Sequence, residues 1–150
     1  MKVLIATDGA PEDLAAIDEA ARLLRLVAAD VHVAAIAGLV PAELGYATRA
    51  RTAAHVGQAL AQAETALAAA LARLEAHGLQ ATGHTCEGGP AEALPALAQR
   101  LAPDLLVLCA PAVGPFTPRP RADLAAIARH SWPGAILLLR PRQPRPADRV

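Results

Sequence analysis

The chain has 150 residues, 54% of them hydrophobic, enough to bury the core of one domain of common size, so no second domain is expected. Fourteen basic residues balance fourteen acidic ones, and Phe, Trp and Tyr occur once each, which excludes a global field or a stacking surface for nucleic acid or anionic lipid. No run approaches the roughly twenty apolar residues of a membrane span, and MKVLIATDG enters a strand without a leader pattern, so a cytoplasmic location is expected.

Val3 to Thr7 is a short apolar run ended by Asp8 and Gly9, as in a buried parallel strand leading into a turn. A helix follows, with Leu14, Ile17, Ala21, Leu24 and Val27 at inward spacing, Pro11 near its first turn, and Glu12 and Asp13 suited to its N-terminal dipole. Val31 to Ile36 reads as a second strand. Residues 37–52 hold Gly38, Pro41 and Gly45 without a clean period, which predicts a loop or frayed helix start and a candidate lid. Val56, Leu60, Ala63, Leu67, Leu71 and Leu74 then mark a long amphipathic helix that stops at Gly78, a suitable C′ residue.

Leu79 to Cys86 alternates small apolar and polar residues, the pattern of a half-exposed edge strand. Gly88 and Gly89 turn the chain, and Pro90 opens a helix with Leu94, Leu97 and Leu101 inward, ended by Pro103 and Asp104 before the strand Leu105 to Cys109. A loop from Ala110 to Arg121 leads to a short helix with Leu124 and Ile127 inward, and Ala135 to Leu139 is the last strand. The domain is expected to span residues 1–140, with PRQPRPADRV, 141–150, as a strap or a disordered tail.

Strand and helix therefore alternate, which predicts an α/β fold: a single five-stranded parallel sheet, order 3-2-1-4-5, with helices on both faces. Its switch point lies between strands 1 and 4, where Asp8, Gly9, Cys109 and Ala110 converge. Two strands separate Cys86 from Cys109 at roughly 4.8 Å each, so two buried reduced thiols are expected rather than a disulfide. His32, His55, His77, His84 and His130 show no pair at metal spacing on one face, so no zinc site is expected. Thr7, Cys109 and Ser131 lie in no GxSxG elbow and beside no identifiable base; packing and hydrogen bonding are their expected roles, and no catalytic residue is assigned. GxxxxGK[ST] and GxGxxG loops are both lacking.

The loop after strand 4 stands where an α/β domain would cradle phosphate, yet Pro111, Pro115, Pro118 and Pro120 each remove an N–H donor and fix φ. Asp123, at the start of the next helix, suits an N-cap, and its carboxylate would compete with phosphate for the same N–H groups. Arg119 and Arg121 offer the opposing possibility of phosphate held by side chains.

The segments KVLIATDGAPEDLAAIDEAARLL, EGGPAEALPALAQRLAPDLLVL and ARHSWPGAILLLR resemble, in order and spacing, those of the universal stress protein (UspA-like) family over nearly the whole chain. The resemblance implies the adenine nucleotide alpha hydrolase-like architecture and, in its ATP-binding branch, a Gly-x2-Gly-x9-Gly-Ser/Thr loop. Laid without gaps on this chain, the motif's glycines fall on Cys109, Ala112 and Ala122 and its hydroxyl on Asp123, so all four positions depart. Asp8 aligns with an acidic residue near the ribose and triphosphate, Val33 with an adenine contact, and Leu108 and Leu124 with apolar wall positions. The resemblance thus implies a stress-response module without turnover that has no cofactor, with ATP or AMP and Mg held by Asp8, Arg119 and Arg121 as the alternative. It further implies a homodimer through Ala135 to Leu139, with Trp132 beside that contact, and leaves room for a regulatory protein partner; the alternative cover for this apolar edge is the 141–150 segment.

Overall fold

A computed structural model describes residues 1–7, 11–36, 49–86, 90–109 and 124–140. Residues 37–48 of the candidate lid (37–52), the Gly88–Gly89 turn, the proline-rich loop and the 141–150 segment lie outside the described residues.

Among the described residues nine elements alternate: β1 (Lys2–Thr7), α1 (Pro11–Leu24), β2 (Asp30–Ile36), α2 (Arg49–Ala76), β3 (Ala81–Cys86), α3 (Pro90–Leu101), β4 (Leu105–Cys109), α4 (Leu124–Ser131) and β5 (Ala135–Leu139). The strands form one parallel sheet in the order β3-β2-β1-β4-β5, as the alternating pattern predicts. Strand periodicity sends successive side chains to opposite faces. Val3, Ile5, Val31, Val33 and Val107 pack against α1 and α2, while Leu4, Ala6, Ala34, Leu106 and Leu108 pack against α3 and α4. Val3 and Leu4 are both fully buried, so β1 is apolar on both sides. Full burial of each such side chain contributes about 1.5–3 kcal/mol.

Helix ends follow local chemistry more closely than helix starts. Gly78 adopts φ 77°, its N–H bonds Glu75 O at 2.8 Å, and the Leu79 N–H bonds Leu74 O at 3.0 Å. These two bonds are the Schellman pair, so the expected C′ glycine is where the sequence puts it. They also draw Leu79 into the turn, and β3 begins at Ala81 rather than Leu79. Helix α2 begins at Arg49, so residues 49–52 take the helix-start alternative of the two expected for 37–52; Ala and Arg are strong helix formers that extend it beyond its apolar stripe. Helix α1 stops at Leu24, and Val27, expected to face inward, is 49% exposed. Two tightened bonds, Leu26 N–H to Leu23 O and Val27 N–H to Leu24 O, unwind the chain there so that Asp30 N–H can meet Met1 O and start β2.

The end of α3 is tied to β1. The Lys2 ammonium donates to Leu101 O at 2.9 Å, and the Lys2 backbone N–H donates to Asp104 Oδ2 at 2.7 Å. Asp104 N–H returns a bond to Lys2 O at 2.8 Å. Ala102, between the helix and this clasp, takes φ 47°, a left-handed conformation unusual for a residue with a Cβ.

Candidate functional site at the switch point

Order β3-β2-β1-β4-β5 makes β1 and β4 the strands whose connections leave in opposite directions, and their carboxyl ends frame a crevice. Thr7 is the last residue of β1, and Asp13 lies in the first turn of α1 above it. Thr7 Oγ1 donates to Asp13 Oδ2 at 2.9 Å, with both residues buried. A carboxylate out of water must be hydrogen-bonded to be tolerated, and a hydroxyl at this distance supplies a charge-assisted bond. The sequence reading gave Thr7 a hydrogen-bonding role, which holds. Asp13, expected only to suit the N-terminal dipole of α1, also turns its carboxylate inward onto Thr7 of β1.

Cys109 closes the opposite side at the end of β4, beside Leu139 of β5, and is half-buried rather than buried. Neither it nor Cys86 forms a disulfide, and β1 and β2 lie between their strands. Thr7, Asp13, Ala16, Ile17, Leu108 and Cys109 line a cavity of about 10 Å³. That is close to the least volume that admits one water.

The other sequence-derived site residues are distributed unevenly. Leu108 is buried in the face toward α3 and α4 and reaches the cavity wall. Val33 is 0% exposed in the core under α1 and α2, paired with Ile5 and Gly83. Leu124 is the first residue of α4, with its side chain outside the described residues. Asp8, Ala112, Arg119, Arg121, Ala122 and Asp123 also lie outside them.

A second polar cluster lies at the β2–β3 edge. His32 Nδ1 and His84 Nε2 are 2.9 Å apart, the rings are stacked with centroids at 5.2 Å, and His32 Nε2 is 3.2 Å from Asp30 Oδ2. The histidines were expected to show no pair at metal spacing on one face; His32 and His84 do share a face, as a pair at hydrogen-bonding distance. Parallel register sets His32 opposite Thr82 and His84 opposite Ala34, so the two rings share the face toward α3 on adjacent strands. Their even phase in both strands was the available signal. Among the described residues, no group of three or more His, Cys, Asp and Glu side chains is arranged to hold a metal ion.

At the other edge, β5 leaves Leu138 42% exposed and Ile136, Leu137 and Leu139 half-buried. Trp132, expected beside a dimer contact, packs against the protein's own α3–α4 core.

A parallel sheet of this order, with helices on both faces and two strand ends meeting at its switch point, defines a doubly wound α/β domain. The family model described as the universal stress protein family matches residues 1–116, and the chain belongs to that family. Comparison with curated protein sequences gives no match. Among solved structures, the chain is similar to a universal stress protein in complex with cAMP, at 22% identity and TM-score 0.67, covering 95% of this chain and 98% of that one. It is likewise similar to UspA from Lactobacillus plantarum, at 17% identity and TM-score 0.73 over 93% of this chain and 97% of that one. A universal stress protein family member from Arabidopsis thaliana with AMP bound is similar at 13% identity and TM-score 0.67, covering 95% of this chain and 92% of that one. These three likenesses establish the fold that the sequence pattern predicts.

Proposed function

We propose that this universal stress protein domain is a cytoplasmic homodimeric module of the stress response that neither takes ATP through a glycine loop nor turns it over. One observation carries the reading: a residue with a thiol side chain, Cys109, occupies the end of β4 where the ATP-binding pattern has its first glycine. Phosphate is cradled by backbone only where no Cβ intervenes. The buried Asp13 carboxylate adds negative charge on the facing side. Residues 1–140 make up the domain in this reading, and 141–150 its tail. The dimer joins β5 to its twin, which would cover Leu138 and pair the strand's free edge. No described helix is long and apolar enough to cross a membrane.

The second reading is a nucleotide switch, with ATP or AMP and Mg held by Asp8, Arg119 and Arg121; similarity to proteins solved with cAMP and with AMP favours it. Calorimetric titration with magnesium ATP separates the two. The expected result is no saturable heat at protein concentrations that reveal micromolar binding. Heat appears when Cys109, Ala112 and Ala122 are changed to glycine together with Asp123→Ser. Saturable binding by the unchanged protein, lost in Arg119→Ala/Arg121→Ala, establishes the switch instead.

A further inference from the structure

Neither reading of the switch point uses the histidine cluster on β2 and β3, which lies on the strands at one edge of the sheet. His32 and His84 are partly buried, with the His32 side chain 12% exposed, so their facing nitrogens meet with little water between them. We propose that this pair is an acid-operated latch on the sheet edge: it fastens β3 to β2 while at most one proton is added to the neutral pair, and a second added proton releases β3.

The hydrogen-bond inventory of imidazole sets this rule. In the neutral pair, His32 donates from Nε2 to Asp30, leaving Nδ1 to accept from His84 Nε2. With one added proton on His32, both of its nitrogens donate, one to Asp30 and one to His84 Nε2, and every group is still satisfied. With a second, N–H faces N–H across 2.9 Å and two positive rings are stacked. No tautomer relieves that contact.

The surrounding charges act in the same direction. Arg100, in the last turn of α3, adds positive potential at His84, and Lys2 of β1 carries an ammonium toward the end of α3. Cys86 is the neighbouring titratable group on β3, and burial raises its thiol, which leaves it neutral beside His84. Asp30 is the nearby acid, and its side chain is 63% exposed, so water screens what it offers. Burial first, then His32 and Arg100, holds His84 below its ordinary 6.5. The unfolded chain therefore binds this proton more readily: the latch contributes fully above about pH 6.5 and is lost as pH falls through the lower folded value. Release of β3 uncovers the β2 edge, whose backbone groups are then free to pair with another strand.

Amide hydrogen exchange followed by NMR, corrected for the intrinsic pH dependence of exchange, reads this directly. Between about pH 7 and about pH 5 the protection of Thr82 to Cys86 should fall while β1 and β4 keep theirs, by at most about tenfold for each pH unit below 6.5, the limit for uptake of one proton. His84→Gln, which donates to His32 without titrating, should abolish the fall, and His84→Phe, which keeps a ring on β3, should do the same. Protection in β1 and β4 reports whether each variant is folded. Constant β3 protection in the unchanged protein overturns the proposal, as does an equal fall in all strands or a fall that persists in both variants. A fall that disappears when chelator is added overturns it too, by assigning the pair to a metal ion. None of these readings depends on nucleotide, so they stand apart from the calorimetric result.

Discussion

At φ 77°, Gly78 ends α2 in a conformation that suits it, whereas Ala102 at φ 47° ends α3 in a similar conformation that does not. A Cβ in the left-handed region costs about 1 kcal/mol or more, so Gly78→Ala should lower unfolding stability by about that amount. Ala102→Gly should have the opposite sign, a gain of up to about 1 kcal/mol, tempered by the entropy of a new glycine in the unfolded chain. Urea denaturation of the two variants checks both signs. Gly78 was legible because glycine marks such a turn; Ala102 was not, since alanine is the residue least suggestive of one, and Pro103 and Asp104 were credited with the stop. Asp13 was missed for a related reason. Acidic residues in a first helical turn suit the dipole, and only the packing of α1 on β1 turns this one onto Thr7. Thr7→Val should therefore leave the Asp13 carboxylate short of a donor and cost about 1–3 kcal/mol, read as a lower denaturation midpoint, while Thr7→Ser restores most of it.

Helices α1 and α2 lie on the same face of the sheet, and Asp18 of α1 bridges to the Arg73 guanidinium in the last turn of α2 and, at 3.1 Å, to His77 Nε2 just beyond its end. Arg73 is 47% exposed, so screening limits what the ion pair is worth. Asp18→Ala should cost no more than about 1 kcal/mol, and the loss should shrink in high salt; thermal unfolding at two ionic strengths tests this. Element type and order were legible throughout, since 3.6- and 2-residue periods alternate and Pro90 and Gly78 punctuate them. Boundaries were less so: residues 49–52 follow a stretch rich in glycine and proline, and their own helix-forming alanine and arginine were outweighed by it. The histidine pair required register as well as order. Thr82 and Ala34, not a histidine, stand directly opposite His32 and His84, and the contact is diagonal.

For the whole molecule, the strand order followed from short right-handed crossovers alone, and it places Cys109, Thr7 and Asp13 at one end of the sheet. The nucleotide question was less legible, because a sequence shows that Cys109 stands in place of a glycine but not that Asp13 is turned onto Thr7 beside it. Assembly is tested at β5: Leu138→Glu should convert the dimer to a monomer in sedimentation velocity without unfolding it, since Leu138 is already 42% exposed in the isolated chain. A monomeric unchanged protein would remove the β5 dimer. Strand order also has a temporal meaning. β1, β2 and β3 are neighbours made in succession, but β4, the other partner of β1, is synthesised about a hundred residues after it. A nascent chain that has emerged only through Cys86 carries its most apolar strand, with Val3, Leu4 and Ile5, as an open edge. During that interval the future centre of the sheet is its stickiest margin, so the speed with which residues 105–109 arrive, and the help of a chaperone until then, governs how much of the protein reaches its native form.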